Sequence, residues 1–203
     1  MERRCQTLAV LLGVFASAGA GSASPREAPA LPLPSVEVRE ANGLYTVRGR
    51  FTVAATLQQT WEVLTDYGDL SRFVSSMRRS EILGLRDRGI LVAQTMVARA
   101  FIFERPFHVV LDVHEVPWRT IAFRDVLHSD FTLYEGDWDL AKAPGGVAVT
   151  YRLQTRPRSR PPLFKGVGTF RATVTSLLTE VRSEILRRSR RARGGAQPKG
   201  GTR

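Results

Sequence analysis

The sequence predicts an α+β fold: a curved antiparallel sheet of about seven strands, two short helices near its start, and one long C-terminal helix packed across it. Three observations lead there. From about residue 78 to 156 the apolar pattern alternates with a period of two, and the connections are too short for crossover helices, so neighbouring strands run antiparallel. Before that run, residues 57–77 carry apolar residues at helical spacing, interrupted at Gly68. After it, an apolar stripe runs from Leu163 and Phe164 through Val167, Phe170, Val174, Leu178 and Val181 to Ile185. A stripe that long needs a large partner, and the concave face of a twisted sheet is the surface available.

The elements follow in order. Residues 1–23 read as an export signal. Arg3 and Arg4 precede the apolar run TLAVLLGVFASAGA, which is too short for a stable membrane span, and small residues follow. The alternative is an anchor that is retained. The expected location is periplasmic or secreted. Cys5 is the single cysteine and lies inside this segment, so the mature chain has no thiolate nucleophile, disulfide or cysteine metal site. Residues 24–35 (SPREAPALPLPS) form a Pro/Ala-rich linker, residues 36–188 the domain, and residues 189–203 a basic tail expected to be disordered. The net charge is +11, but seven of the Lys/Arg lie between Arg187 and Arg203 with no acid among them, so the domain itself is close to balance.

Within the domain, SVEVREANGLYTVRGRFTV is a hairpin turning at Ala41-Asn42-Gly43. Thr56 is placed to cap a helix carrying Leu57, Trp61 and Leu64. Gly68 ends it, and DLSRFVSSM supplies a second short piece. Strands follow near 78–86, 90–102, 106–116, 119–127, 130–141 and 146–156. Asp87-Arg88-Gly89, Pro117-Trp118 and Pro144-Gly145-Gly146 punctuate them.

Together these elements outline a helix-grip. The stretches WEVLTDYGDLSRFVSSMRRSEIL, EVPWRTIAFRDV and FTLYEGDWDLAKAPGGVAVTYRL, with the closing helix, resemble the START-like (SRPBCC) superfamily. Within it the likeness is to the polyketide cyclase/dehydrase and ubiquinone-chaperone (coenzyme Q-binding) branch, over about residues 36–188. The resemblance implies a hydrophobic cavity between sheet and long helix that takes lipids, quinones, sterols or polyketides. A minority of the superfamily catalyse reactions in that cavity, and fold alone does not decide between the two.

The residues bear on this in several ways. Trp138 and Leu140 share one strand face, as do Val147, Val149, Tyr151 and Leu153, with Ile121 and Phe123 on a neighbouring strand. Such alternation by default fills a solid core. Trp138 and Tyr151 carry polar handles, which a buried site must satisfy or present to a ligand. Gly166 and Gly168 are read as helix glycines that give the long helix room near the sheet. Met96, Phe123, Trp138 and Tyr151 are therefore expected in the wall of a ligand cavity, and Phe73, Met77, Phe164 and Val167 at its mouth. His108, Asp112 and His114 share the opposite parity from Phe107, Val109, Leu111 and Val113, which puts them on the solvent face. No metal site, cofactor or catalytic group is assigned. The GVG at 166–168 lacks the full glycine fingerprint and any βαβ setting, which excludes nucleotide binding.

The expected function is non-covalent binding of a hydrophobic small molecule or lipid. The Arg-rich tail is a candidate for an anionic membrane surface rather than nucleic acid. The alternative is a cyclase- or dehydrase-type enzyme, which needs Arg99, Tyr134, Glu135 or Tyr151 turned into the cavity. A second alternative is a structural envelope protein.

Overall fold

The computed structural model describes residues 32–87, 89–100, 103–159 and 166–195. The expected export signal, most of the linker, Phe164 and the end of the basic tail lie outside these residues. The elements run β1 (Ser35–Ala41), β2 (Leu44–Val53), α1 (Leu57–Leu64), α2 (Leu70–Phe73), β3 (Met77–Arg86), β4 (Gly89–Ala100), β5 (Phe103–Val116), β6 (Thr120–Asp125), β7 (Phe131–Ala143), β8 (Gly146–Pro157) and α3 (Val167–Gly195). Eight strands form one antiparallel sheet in the order β1-β2-β8-β7-β6-β5-β4-β3, and α3 packs against it. This is the expected helix-grip, with eight strands rather than about seven.

Local chemistry explains the joints. Asn42 and Gly43 both take positive φ (52° and 79°), the geometry of a two-residue hairpin turn, and Glu40 Oε1 accepts from the Gly43 N–H at 2.7 Å. Thr56 caps α1 in a reciprocal box: its hydroxyl accepts from Gln59 N, and Gln59 Oε1 accepts from Thr56 N. The helix closes at Thr65, three residues before Gly68, so the glycine lies in the following turn and does not itself stop the helix. Asp125 is buried and organises the end of β6, accepting from the N–H groups of Val110, Leu127 and His128.

α3 differs from expectation at both ends. It begins at Val167, so Gly166, at φ +118°, precedes the helix instead of lying within it. At the other end it continues to Gly195, seven residues into the segment expected to be a disordered tail. Ser189 is fully buried there, and Arg193 donates to the Ala54 carbonyl at 2.8 Å and to Ser189 Oγ at 2.9 Å. A helix whose basic residues find carbonyl and carboxylate partners on the domain has reason to persist. Among the described residues no helix is long and apolar enough to cross a membrane.

The core lies between the concave face of the sheet and the helices. Val47, Val53, Val63, Val109, Val147, Leu178 and Ile185 are almost wholly buried there. The opposite face is polar. Arg152 holds Asp137 through two hydrogen bonds (2.9 and 2.6 Å) and also pairs with Asp139.

Candidate ligand cavity

The cavity wall follows from strand alternation. β7 turns Tyr134, Gly136 and Trp138 inward, and β8 turns Tyr151, Leu153 and Thr155 inward. The register sets Trp138 opposite Tyr151 and Tyr134 opposite Thr155. β6 contributes Phe123, whose partner across the ladder is Gly136. A Cβ on Gly136 would run into the Arg152 carbonyl of β8 and lie 2.8 Å from Phe123 Cζ, so the missing side chain lets both the neighbouring strand and this ring approach. The ring centroids of Trp138 and Tyr151 are 4.4 Å apart, those of Phe123 and Tyr134 6.1 Å, and those of Phe131 and Tyr134 5.0 Å. Aromatic pairs at these separations are individually favourable, so the wall is stiff.

Two hollows open between this wall and the helices. The first, about 110 Å³, lies among Val63, Tyr67, Met77, Gln94, Trp138 and Val181. The second, about 100 Å³, lies beneath the start of α3, among Phe107, Phe131, Thr155, Phe170, Thr173 and Val174. Both are bordered by Ser76, Met96, Tyr134, Tyr151 and Leu177, so they are two compartments meeting at one waist.

The polar groups in this apolar lining are few. The Tyr134 hydroxyl donates to Met96 Sδ at 3.7 Å, and the Tyr151 side chain lines the same border. Burial pushes the Tyr134 hydroxyl up to about 12; the neighbouring Tyr151 hydroxyl opposes this and the charge of Asp125 adds to it. Burial likewise raises Tyr151 well above the usual phenol range, aided by Tyr134 and Asp137. Both are therefore neutral phenols near pH 7. Gln94 is buried and donates to Ser80 Oγ at 3.4 Å. Thr155 is fully buried, and its Oγ1 has no hydrogen-bond partner.

The residues expected in the wall, Met96, Phe123, Trp138 and Tyr151, all line the hollows, as does Met77 from the expected mouth. Phe73 does not. It packs half-buried against the edge of the core and lines a separate depression with Asp66, Arg72 and Glu184, where the Arg188 guanidinium lies 5.7 Å from its ring centroid. α2 is a single turn of four residues, too short for its apolar residues to define one face. Leu70 and Val74 take the inward positions instead. Val167 is half-buried against the core at the first turn of α3, outside both linings.

Of the groups the enzyme alternative needs, Tyr134 and Tyr151 face inward. Glu135 faces the outer side of the sheet beside Arg152 and Gln154, and the side chain of Arg99 is outside the described part. The expected solvent-face trio is divided. His108 and His114 are exposed, but Asp112 is only 3% exposed, covered by Arg124 (3.0 Å) and His114 (3.2 Å). Burial works against its charge, yet the hydrogen bond from Arg124 and the adjacent His114 ring hold its carboxyl below the usual range. Strand parity places a residue on a face but does not say what its neighbours cover, which is why the sequence pattern does not show this carboxylate as buried. Among the described residues no three His, Cys, Asp or Glu side chains converge as a metal site would need.

Residues 45–190 match the family described as polyketide cyclase / dehydrase and lipid transport. The chain belongs to this family. Solved structures share the fold of this polyketide cyclase/dehydrase and lipid transport family member at low identity. TTHA0849 from Thermus thermophilus is 18% identical with a TM-score of 0.60, the match covering 71% of this chain and 99% of that one. A STAR-related lipid transfer protein from Xanthomonas axonopodis is 20% identical at a TM-score of 0.61, covering 77% and 97%. The Zhui aromatase/cyclase from a Streptomyces species is 18% identical at 0.56, covering 78% and 99%. No curated protein sequence matches the chain.

Proposed function

We propose that this domain binds a compact hydrophobic molecule, ring-shaped and about two rings in size, in the two-compartment cavity. The observation that carries the reading is the pair of hollows of about 110 and 100 Å³ that share a border formed by Ser76, Met96, Tyr134, Tyr151 and Leu177. An apolar cavity of about 150 Å³ takes one benzene, so the two compartments together suit a bicyclic ring system better than a whole two-chain lipid. An aromatic ring system buries about 150–250 Å², worth about 4–6 kcal/mol at 25 cal/mol per Å². Association costs reduce this, so the expected dissociation constant is no tighter than about 40 μM. Tyr134 and Tyr151 favour binding over the cyclase or dehydrase alternative. A general base works best with a pKa near the operating pH, and both phenols are pushed away from it.

Family membership supports the same reading, since the family is described as including lipid transport, and a STAR-related lipid transfer protein shares the fold. Export belongs to the proposal through the charged and apolar pattern of residues 1–23. Contact with an anionic surface belongs to it through the arginines from Arg187 onward.

The test uses Trp138, one of three tryptophans and the one in the wall. Titration with a bicyclic quinone such as menadione is expected to quench its fluorescence saturably, and Trp138→Phe to remove most of the quenching. The other two, Trp61 and Trp118, form their own pair with ring centroids 5.8 Å apart. Linear, unsaturable quenching that is unchanged in Trp138→Phe, together with no small-molecule adduct by native mass spectrometry, overturns the proposal.

A further inference from the structure

Thr155 is out of place in a wall of aromatic and aliphatic side chains. It sits on the inward face of β8, opposite Tyr134 on β7 and Tyr45 on β2, and it is 0% exposed. The residue borders the compartment beneath α3, and its Oγ1 is buried without a hydrogen-bond partner. An unpaired buried hydroxyl is destabilising, and valine would fill the same volume without that penalty. Near it stands a second incomplete group. Tyr134 spends its proton on Met96 Sδ at 3.7 Å, and a thioether is among the weakest acceptors a side chain offers. Cross-strand partners on one face lie about 5 Å apart at Cβ, so Thr155 and Tyr134 flank the same small volume. Across it, Thr169 and Thr173 of α3 border the compartment. The first compartment differs: Gln94, the buried amide at its edge, already donates to Ser80. The spare hydrogen-bonding capacity is thus concentrated at one end of the cavity.

We infer that the compartment beneath α3 is an oxygen-recognition subsite. It receives a hydroxyl or carbonyl oxygen of an otherwise apolar ring ligand, with Thr155 Oγ1 as the anchoring group and Tyr134 as a donor released from Met96. This rests on the cavity reading above and adds to it the residue that anchors the ligand's oxygen and an orientation. The oxygen end lies under the start of α3, and the hydrocarbon end points toward Met77 and Trp138.

The experiment compares 2-naphthol with naphthalene by equilibrium dialysis against the full chain and against Thr155→Val, with Thr155→Ser as the conservative control. The wild type is expected to prefer 2-naphthol. Thr155→Val should weaken 2-naphthol binding about tenfold, leave naphthalene unchanged and not lower Tm, because the hydroxyl it removes is unpaired in the empty protein. Thr155→Ser should keep most of the preference. If both probes bind and Thr155→Val treats them as the wild type does, or weakens both equally, the subsite inference is overturned while the cavity reading stands. If neither probe binds the wild type, both fall together.

Discussion

The seating of α3 on the sheet depends on a residue that makes no side-chain contact, Gly49. It faces inward in the middle of β2, opposite Tyr151 on β8, and Leu178 of α3, 0% exposed, occupies the space a side chain would take. A Cβ there would lie 3.6 Å from Leu178 Cγ, an ordinary contact, but far too close to Leu178 Cδ1. Carbon atoms rest at about 3.5–4.0 Å, so either Leu178 leaves its rotamer or α3 lifts by about an ångström. Overpacking of this kind costs about 1–3 kcal/mol. Leu178→Ala alone should cost about 2–5 kcal/mol through the void it leaves. In that background the methyl added by Gly49→Ala enters the void, and the substitution should become neutral or mildly stabilising. A double-mutant cycle by chemical denaturation should therefore show a coupling of about 1–3 kcal/mol. Additive effects, or a Gly49→Ala variant as stable as the wild type, would show that α3 is not seated by this knob and hole.

Three further outcomes are expected. Leu177→Trp places an indole at the waist shared by both compartments and should weaken menadione binding at least tenfold with little change in Tm, whereas Phe73→Ala should lower stability by about 1–2 kcal/mol and leave menadione affinity intact. Glu184 is held at about 2 by Arg187 first, against the effect of burial, with Arg188 adding to the pull. Its folded value lies below the unfolded 4.5, so its contribution is present above pH 4.5 and is lost as pH falls toward 2. Denaturation midpoints should fall across that window for the wild type and less so for Glu184→Gln. Tyr134 ionises at about 12, above the ordinary 10, so stability that it confers should fade as pH rises from 10 to 12. The corresponding absorbance step should vanish in Tyr134→Phe.

Strand alternation in the sequence is enough to turn Phe123, Trp138 and Tyr151 inward and to place His108 and His114 outward, because a period of two leaves only two faces. It is enough for Met96 and Met77 once the fold is in view. It is not enough for Phe73, since one turn of helix has no face until its neighbours choose one. Nor can it show Asp112 as buried, because what covers it is Arg124 and His114, brought alongside by the register of β5 with β6 and by its own strand. Thr155 reads in the sequence as an ordinary strand threonine; only the neighbours across β2 and β7 reveal that its hydroxyl has been left over. The helical continuation through Ser189 and Arg193 is hidden by composition, because a run of arginines looks solvated until the Ala54 carbonyl comes within reach.

The clasp of Arg152 on Asp137 and Asp139 lies on the reverse side of the same two strands that carry Trp138 and Tyr151. Along β7 and β8 every second residue therefore answers to a different constituency: one set keeps the strands in register, the other meets whatever enters. Because the outer set also braces the pair, the inner set carries less of that task and has more room to be rewritten. A lineage could exchange a tyrosine for a leucine or a tryptophan for a histidine there and change its cargo while the scaffold stays whole. The ionic clasp outside would then be what makes the hydrophobic interior evolvable.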